Sequence, residues 1–112
     1  MAWGNDILTH FPDWNTADAL QRWRNCRPPL ATGQRVRGTV IARAPFGVWL
    51  DISVGYPALL LVPEMAGAIE KRLTFDEYPQ IGTFLEATVA GVSEDAEIFL
   101  TQNPANPAMQ RT

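Results

Sequence analysis

Gly33-Gln34-Arg35-Val36-Arg37-Gly38-Thr39-Val40-Ile41-Ala42-Arg43-Ala44-Pro45-Phe46-Gly47-Val48-Trp49-Leu50-Asp51-Ile52 has the two-residue period of a β-strand on both sides of one turn. Over residues 34–43, Val36, Gly38, Val40 and Ala42 share one face, and Arg35, Arg37, Thr39, Ile41 and Arg43 share the other. The arginines are therefore expected to point outward. Pro45-Phe46-Gly47 interrupts the run. Beyond it Val48, Leu50 and Ile52 fall on the inner face, and Trp49 and Asp51 on the outer one. A large aromatic is thus expected on the exterior of the sheet. Gly38 supplies backbone freedom where a long first strand must coil round a corner.

Downstream, the turn Val54-Gly55-Tyr56-Pro57 leads into a third apolar strand over 58–62, which Pro63 ends because it has no N–H for a ladder. A crossing segment over 64–80 is expected to hold a helical piece near 65–72 and a turn opened by the capping-box pattern Thr74-Phe75-Asp76-Glu77. Strands over 83–92 and 97–102 follow, joined by the acidic turn Ser93-Glu94-Asp95-Ala96. Three strands, a crossing segment and a hairpin is the order of an all-β, five-stranded Greek-key barrel of about 70 residues.

Upstream, residues 1–31 have a different pattern. Asn15 or Thr16 can cap a helix that carries Ala19, Leu20 and Trp23 on one side and stops before Pro28-Pro29. Trp3, Phe11, Trp14 and Trp23 are too many aromatics for a solvated tail, so this segment is expected to pack on the barrel or on a partner. Three parts are predicted: an N-terminal helical extension over 1–31, a barrel over 32–103 and a flexible C-terminal tail over 104–112, rich in Pro and Asn.

The 112-residue chain is long enough for one core and too short for two ordinary domains, and its 46% apolar residues argue for a packed interior. No apolar run approaches the roughly 18 to 20 residues that cross a bilayer, so no membrane partner is expected. The single Cys26 forms no internal disulfide, and with no secretory pattern at the start the expectation is a cytoplasmic protein. The net charge of −3 gives no general attraction to phosphate, yet residues 19–50 contain no acid and carry Arg22, Arg24, Arg27, Arg35, Arg37 and Arg43. Such asymmetry can make one basic face on an acidic protein. The alternative is solvated arginines balanced by acids from elsewhere.

The series Gly33 to Val40, Phe46 to Ile52 and Ala58-Leu59-Leu60-Leu61-Val62-Pro63-Glu64, closed by Gly82-Thr83-Phe84-Leu85-Glu86-Ala87-Thr88-Val89 and Ile98-Phe99-Leu100-Thr101, resembles the S1-type RNA-binding domain, a member of the OB-fold group named after a ribosomal protein. The likeness spans about residues 32–103. It implies an OB-fold barrel that binds single-stranded RNA across the outer face of its second and third strands. In that family an aromatic directly before the glycine and another three residues later stack on bases, and Phe46 and Trp49 stand at those positions. Two positions depart from the pattern: Leu61 stands where a His is frequent on the third strand, and Glu97 where a basic residue often enters the last one.

The candidate RNA-binding residues are accordingly Phe46, Trp49, Arg35, Arg37, Arg43 and Leu61, with Arg22, Arg24 and Arg27 as accessories. Aromatic platforms hold any base, and arginines meet phosphates, so weak binding with little sequence preference is the expectation. The competing reading is a protein-interaction module, docking hetero-partners or a second copy through Trp49, Leu61 and the aromatic N-terminal segment. No catalytic residue, metal or cofactor is assigned. His10 is the only histidine, no phosphate-binding glycine loop occurs, and the acid pairs Asp76-Glu77 and Glu94-Asp95 fall in turns.

Overall fold

The computed structural model of the protein describes residues 2–110. Two helices, α1 (Ala2–His10) and α2 (Ala17–Asn25), precede five strands: β1 (Arg35–Ala44), β2 (Gly47–Asp51), β3 (Pro57–Leu61), β4 (Phe84–Val92) and β5 (Ile98–Thr101). The strands close into a barrel in the order β1-β2-β3-β5-β4, with β3 and β5 parallel and every other pair antiparallel. Among the described residues no helix is long and apolar enough to cross a membrane.

β1 serves two neighbours in succession. Its first half, Arg35 to Thr39, pairs with β4, and its second half, from Thr39 to Ala44, pairs with β2. The handover requires Gly38, because a Cβ there would stand 2.5 Å from the Asp51 carbonyl oxygen and 2.8 Å from Ile52 Cγ2. A β-bulge then falls between Val40, opposite Leu50, and Ala42, opposite Trp49, leaving Ile41 as the extra residue. The extra residue reverses the faces of everything after it. Ala42 and Ala44 turn outward with Trp49, whereas Arg43 falls opposite Val48, a residue of the inner core. The expectation of an outward Arg43 is thereby corrected.

The inner core is built by Val40, Val48, Leu50, Ala58, Leu60, Val89, Ile98 and Leu100, which the strand alternation turns inward. α2 completes it. Thr16 caps this helix by accepting from the Ala19 amide at 3.2 Å, while Asn15, the other candidate, sits in the left-handed region at φ 65°. Trp23 is wholly buried in the barrel core, edge-on to Tyr56, and its Nε1 donates to the Ser93 carbonyl at 3.0 Å. The N-terminal segment is thus part of the core.

α1 differs from expectation, since one helix was foreseen in this segment and two are present. Its Trp3, Ile7 and Phe11 join Ile41, Ala42, Ala44 and Trp49 in a second apolar cluster on the outer face. In the crossing segment, the helical piece foreseen near 65–72 is limited to the short 3-10 turns Val62–Glu64 and Ala66–Ala68. The capping box is present around the 3-10 turn Phe75–Glu77. The hydrogen bond from Lys71, and then those from the Thr74 amide and hydroxyl, lower the Glu77 pKa from its ordinary 4.5 to about 2. The cap therefore contributes its stabilisation fully above pH 4.5 and loses it as the pH falls through about 2. An NMR titration of the Thr74 amide is expected to show its transition near that lower pH; a midpoint at 4.5 would contradict the bonded cap.

The segment beyond the barrel was expected to be loose, but its described part folds back. Glu64 accepts from Thr101 Oγ1 at 2.6 Å and from Asn106 Nδ2 at 2.7 Å, and the 3-10 turn Pro107–Gln110 buries Ala108. Residues 111 and 112 lie outside the described part.

Candidate nucleic-acid interface

The outer face of β2 and β3 is organised by the cross-strand pairs Gly47–Leu61 and Trp49–Leu59. Phe46 projects from the β1–β2 turn beside this face and is 43% exposed. Its ring stands edge-on to Trp49 at 5.3 Å and 82°, the arrangement that aromatic quadrupoles favour. Phe46, Trp49 and Leu61 are therefore brought together on one surface. Trp49 lies on the expected face, but it is not open to solvent. Only 7% of it is exposed, because Trp3 of α1 stacks on it with centroids 4.9 Å apart and planes 12° apart. Trp3 also meets Phe46 edge-on at 5.6 Å.

The arginines are dispersed. Arg43, turned inward by the bulge, places its guanidinium 4.3 Å from the Phe75 ring centroid and donates from Nη2 to the Phe75 carbonyl at 2.5 Å. Its Nε is buried without a partner. Arg35 and Arg37 do point outward, on the β1–β4 side, where Arg37 Nε donates to Glu86 at 3.1 Å and Arg35 Nε lies 3.7 Å from the same carboxylate. Along the strands they start about four residues, roughly 13 Å, from the level of Trp49. Thr39 and Asp51 stand between.

The accessory arginines surround α2. Arg22 pairs with Asp13 at 2.7 Å and donates to Tyr56 Oη at 3.2 Å, Arg24 lies 3.6 Å from Asp95, and Arg27 lies over the Trp23 ring. Asp13 above all, then Tyr56, raises the Arg22 pKa further above its ordinary value. Arg22 and Arg24 thereby link the helix to the barrel, and Arg27 covers the helix's own Trp23.

Two features escaped the sequence reading. Trp3, Ile7 and Phe11 recur every four residues, the signal of a helix stripe that the aromatic count of this segment does not reveal. Phe84, 67% exposed, sits opposite Thr39 on β4 and adds an outward aromatic beside the Arg37–Glu86 pair. A cavity of about 370 Å³ lies between the link from α1 to α2 and the outer side of β3 and β5; Trp14, Leu59 and Phe99 line it, together with Asp13 and Glu97. Those carboxylates make it a poor seat for phosphate. Among the described residues no group of three or more His, Cys, Asp or Glu is placed to hold a metal ion.

No protein-family profile and no curated protein matches the sequence. Solved structures do match the fold. GSP13 from Bacillus subtilis aligns at 19% identity with a TM-score of 0.56, covering 74% of this chain and 60% of that one. A chain of the a/eIF2alpha-aDim2p-rRNA complex from Pyrococcus horikoshii aligns at 21% identity and a TM-score of 0.60, over 74% of this chain and 50% of that one. An uncharacterized protein from Methanocaldococcus jannaschii aligns at 18% identity and a TM-score of 0.56, over 70% of this chain and 99% of that one. The chain thus spans less than two thirds of the first two chains and 99% of the third.

Proposed function

We propose, from a closed five-stranded barrel of the S1-type OB fold, that the protein binds single-stranded RNA weakly and with little sequence preference across the outer face of β2 and β3. Phe46 carries the reading: an aromatic 43% exposed at the edge of that face, buttressed edge-on by Trp49, is a platform on which any base can stack. Leu61, beside Gly47 at the end of β3, extends the apolar surface without supplying a hydrogen bond. Arg35 and Arg37 meet phosphates beyond it, with their charge partly cancelled by Glu86, and Phe84 widens the surface on that side. The presence of a chain of similar fold in a complex that contains rRNA supports the reading by analogy.

Fluorescence anisotropy with a labelled short oligouridine tests it. Because stacking contributes about 1 to 3 kcal/mol per base, Phe46→Ala is expected to weaken binding about 5- to 150-fold. Added salt should weaken it further as counterion release is lost. Phe46 is the more direct probe, being 43% exposed with only its edge against Trp3, whereas Trp49 lies beneath α1 and holds it in place. Absence of binding at low salt, or binding indifferent to Phe46→Ala, rejects the reading. The second reading, a protein-interaction module, is favoured by Glu86 pairing with both outward arginines of β1, and it gains if Phe46→Ala leaves RNA affinity unchanged.

A further inference from the structure

Trp3 occupies, on Trp49, the place a nucleobase would take on an aromatic platform. Its plane lies 12° from that of Trp49 at 4.9 Å, and Phe46 closes on it edge-on. Behind it Ile7 and Phe11 continue the stripe into the outer cluster, where Ile7 is wholly buried. The seat is built for a helix: the bulge turns Ala42 and Ala44 outward, and their short side chains let α1 lie close to the sheet. At the far end of α1, His10 Nε2 lies 3.3 Å from Asp51 Oδ2.

The cover is nevertheless imperfect where it meets Trp49. Trp3 Nε1 is buried without a hydrogen-bond partner, so closing α1 removes a donor from water and gives it nothing in return. The link between the helices carries Asn15 in the left-handed region, and α2 beyond it is anchored by Trp23 inside the barrel. The apolar residues of α1 belong to the outer cluster, separate from the barrel core that Trp23 of α2 joins.

We propose that α1 is an intramolecular lid that competes with single-stranded RNA for Trp49. In the closed state only Phe46 is offered; in the open state Phe46 and Trp49 form a two-base platform. The inference rests on the reading of this face as a base-stacking surface. Apparent affinity is the open- and closed-state affinities weighted by their populations, and the two-base open state binds more tightly, so weakening the lid tightens binding.

The test is a titration of full-length Trp3→Ala and, separately, Ile7→Ser with labelled oligouridine, beside the unmodified chain and each lid variant combined with Phe46→Ala. Loss of either lid contact is expected to tighten binding about fivefold or more, as the closed population falls. Phe46→Ala should weaken binding in the Trp3→Ala background, where it has no contact with Trp3 left to lose. In the unmodified chain the Trp3 indole N–H signal should move to a solvent-exposed position as RNA saturates the protein. This second readout needs no variant to fold. Equal or weaker binding by the lid variants, with Phe46→Ala still harmful, overturns the lid and leaves the platform standing. An indole signal that stays in place at saturation overturns it likewise. If none of the chains binds, the platform reading fails and the lid falls with it.

Discussion

Trp23→Ala is expected to lower folding stability by about 3 to 5 kcal/mol, the range for emptying a large aromatic site in a packed core. The residue lies outside the barrel in sequence and inside it in space: it is fully buried among Val40, Leu50, Ile98 and other core side chains. Truncation leaves a cavity next to Tyr56, whose ring it meets at 4.9 Å and 84°, and strips the Ser93 carbonyl of its 3.0 Å donor. It also removes the ring over which Arg27 lies. Domains of this size have about 5 to 15 kcal/mol of stability, so the loss is a large share of the total. Urea unfolding followed by circular dichroism measures it. Trp23→Phe should lose less, since the apolar contact largely persists and the indole donor does not. A loss below about 1 kcal/mol for the alanine variant would show that α2 is an appendage rather than part of the core.

Glu64→Ala is expected to cost about 2 to 3 kcal/mol, because one carboxylate oxygen serves two donors at short range. Thr101 is completely buried, so its hydroxyl would be left without an acceptor. Asn106 would lose its 2.7 Å bond at the same time, freeing the turn in which the Asn106 side chain accepts from the Ala108 amide at 3.0 Å. Hydrogen exchange at Ala108 therefore reports the second effect separately from the global unfolding that reports the first. Glu64→Gln keeps an acceptor oxygen and should cost less. If Ala108 exchanges no faster in Glu64→Ala, the C-terminal turn is held by its apolar contacts rather than by this carboxylate.

The strands were legible in the sequence because inward and outward residues alternate through 34–40 and 48–52, and because Pro63 and the turn at 93–96 mark where pairing stops. What alternation could not reveal was a single extra residue. Ile41 and Ala42 are both apolar, so nothing in their chemistry marks the bulge that turns Arg43 inward. α1 was obscured by composition, since Gly4, Asn5 and Thr9 are poor helix formers and its stability comes from the stripe it lays against the sheet. The candidate site was legible as a set of residue types and not as a surface. Phe46, Trp49 and Leu61 converge through local strand pairing, but Trp3 over Trp49, Glu86 between Arg35 and Arg37, and Phe75 against Arg43 are contacts between distant segments. No local pattern encodes them.

The bulge in β1 also bears on how such a surface can change by mutation. Strand faces are counted in twos, so one unpaired residue acts as a parity switch: before it the outward positions hold arginines, and after it they hold alanines. Deleting Ile41 would remove the unpaired residue and leave every later pair, Ala42 with Trp49, Arg43 with Val48 and Ala44 with Gly47, on its present face. The helix seat is thus fixed by the pairing of these alanines with β2, and it can lose the bulge without losing its alanines.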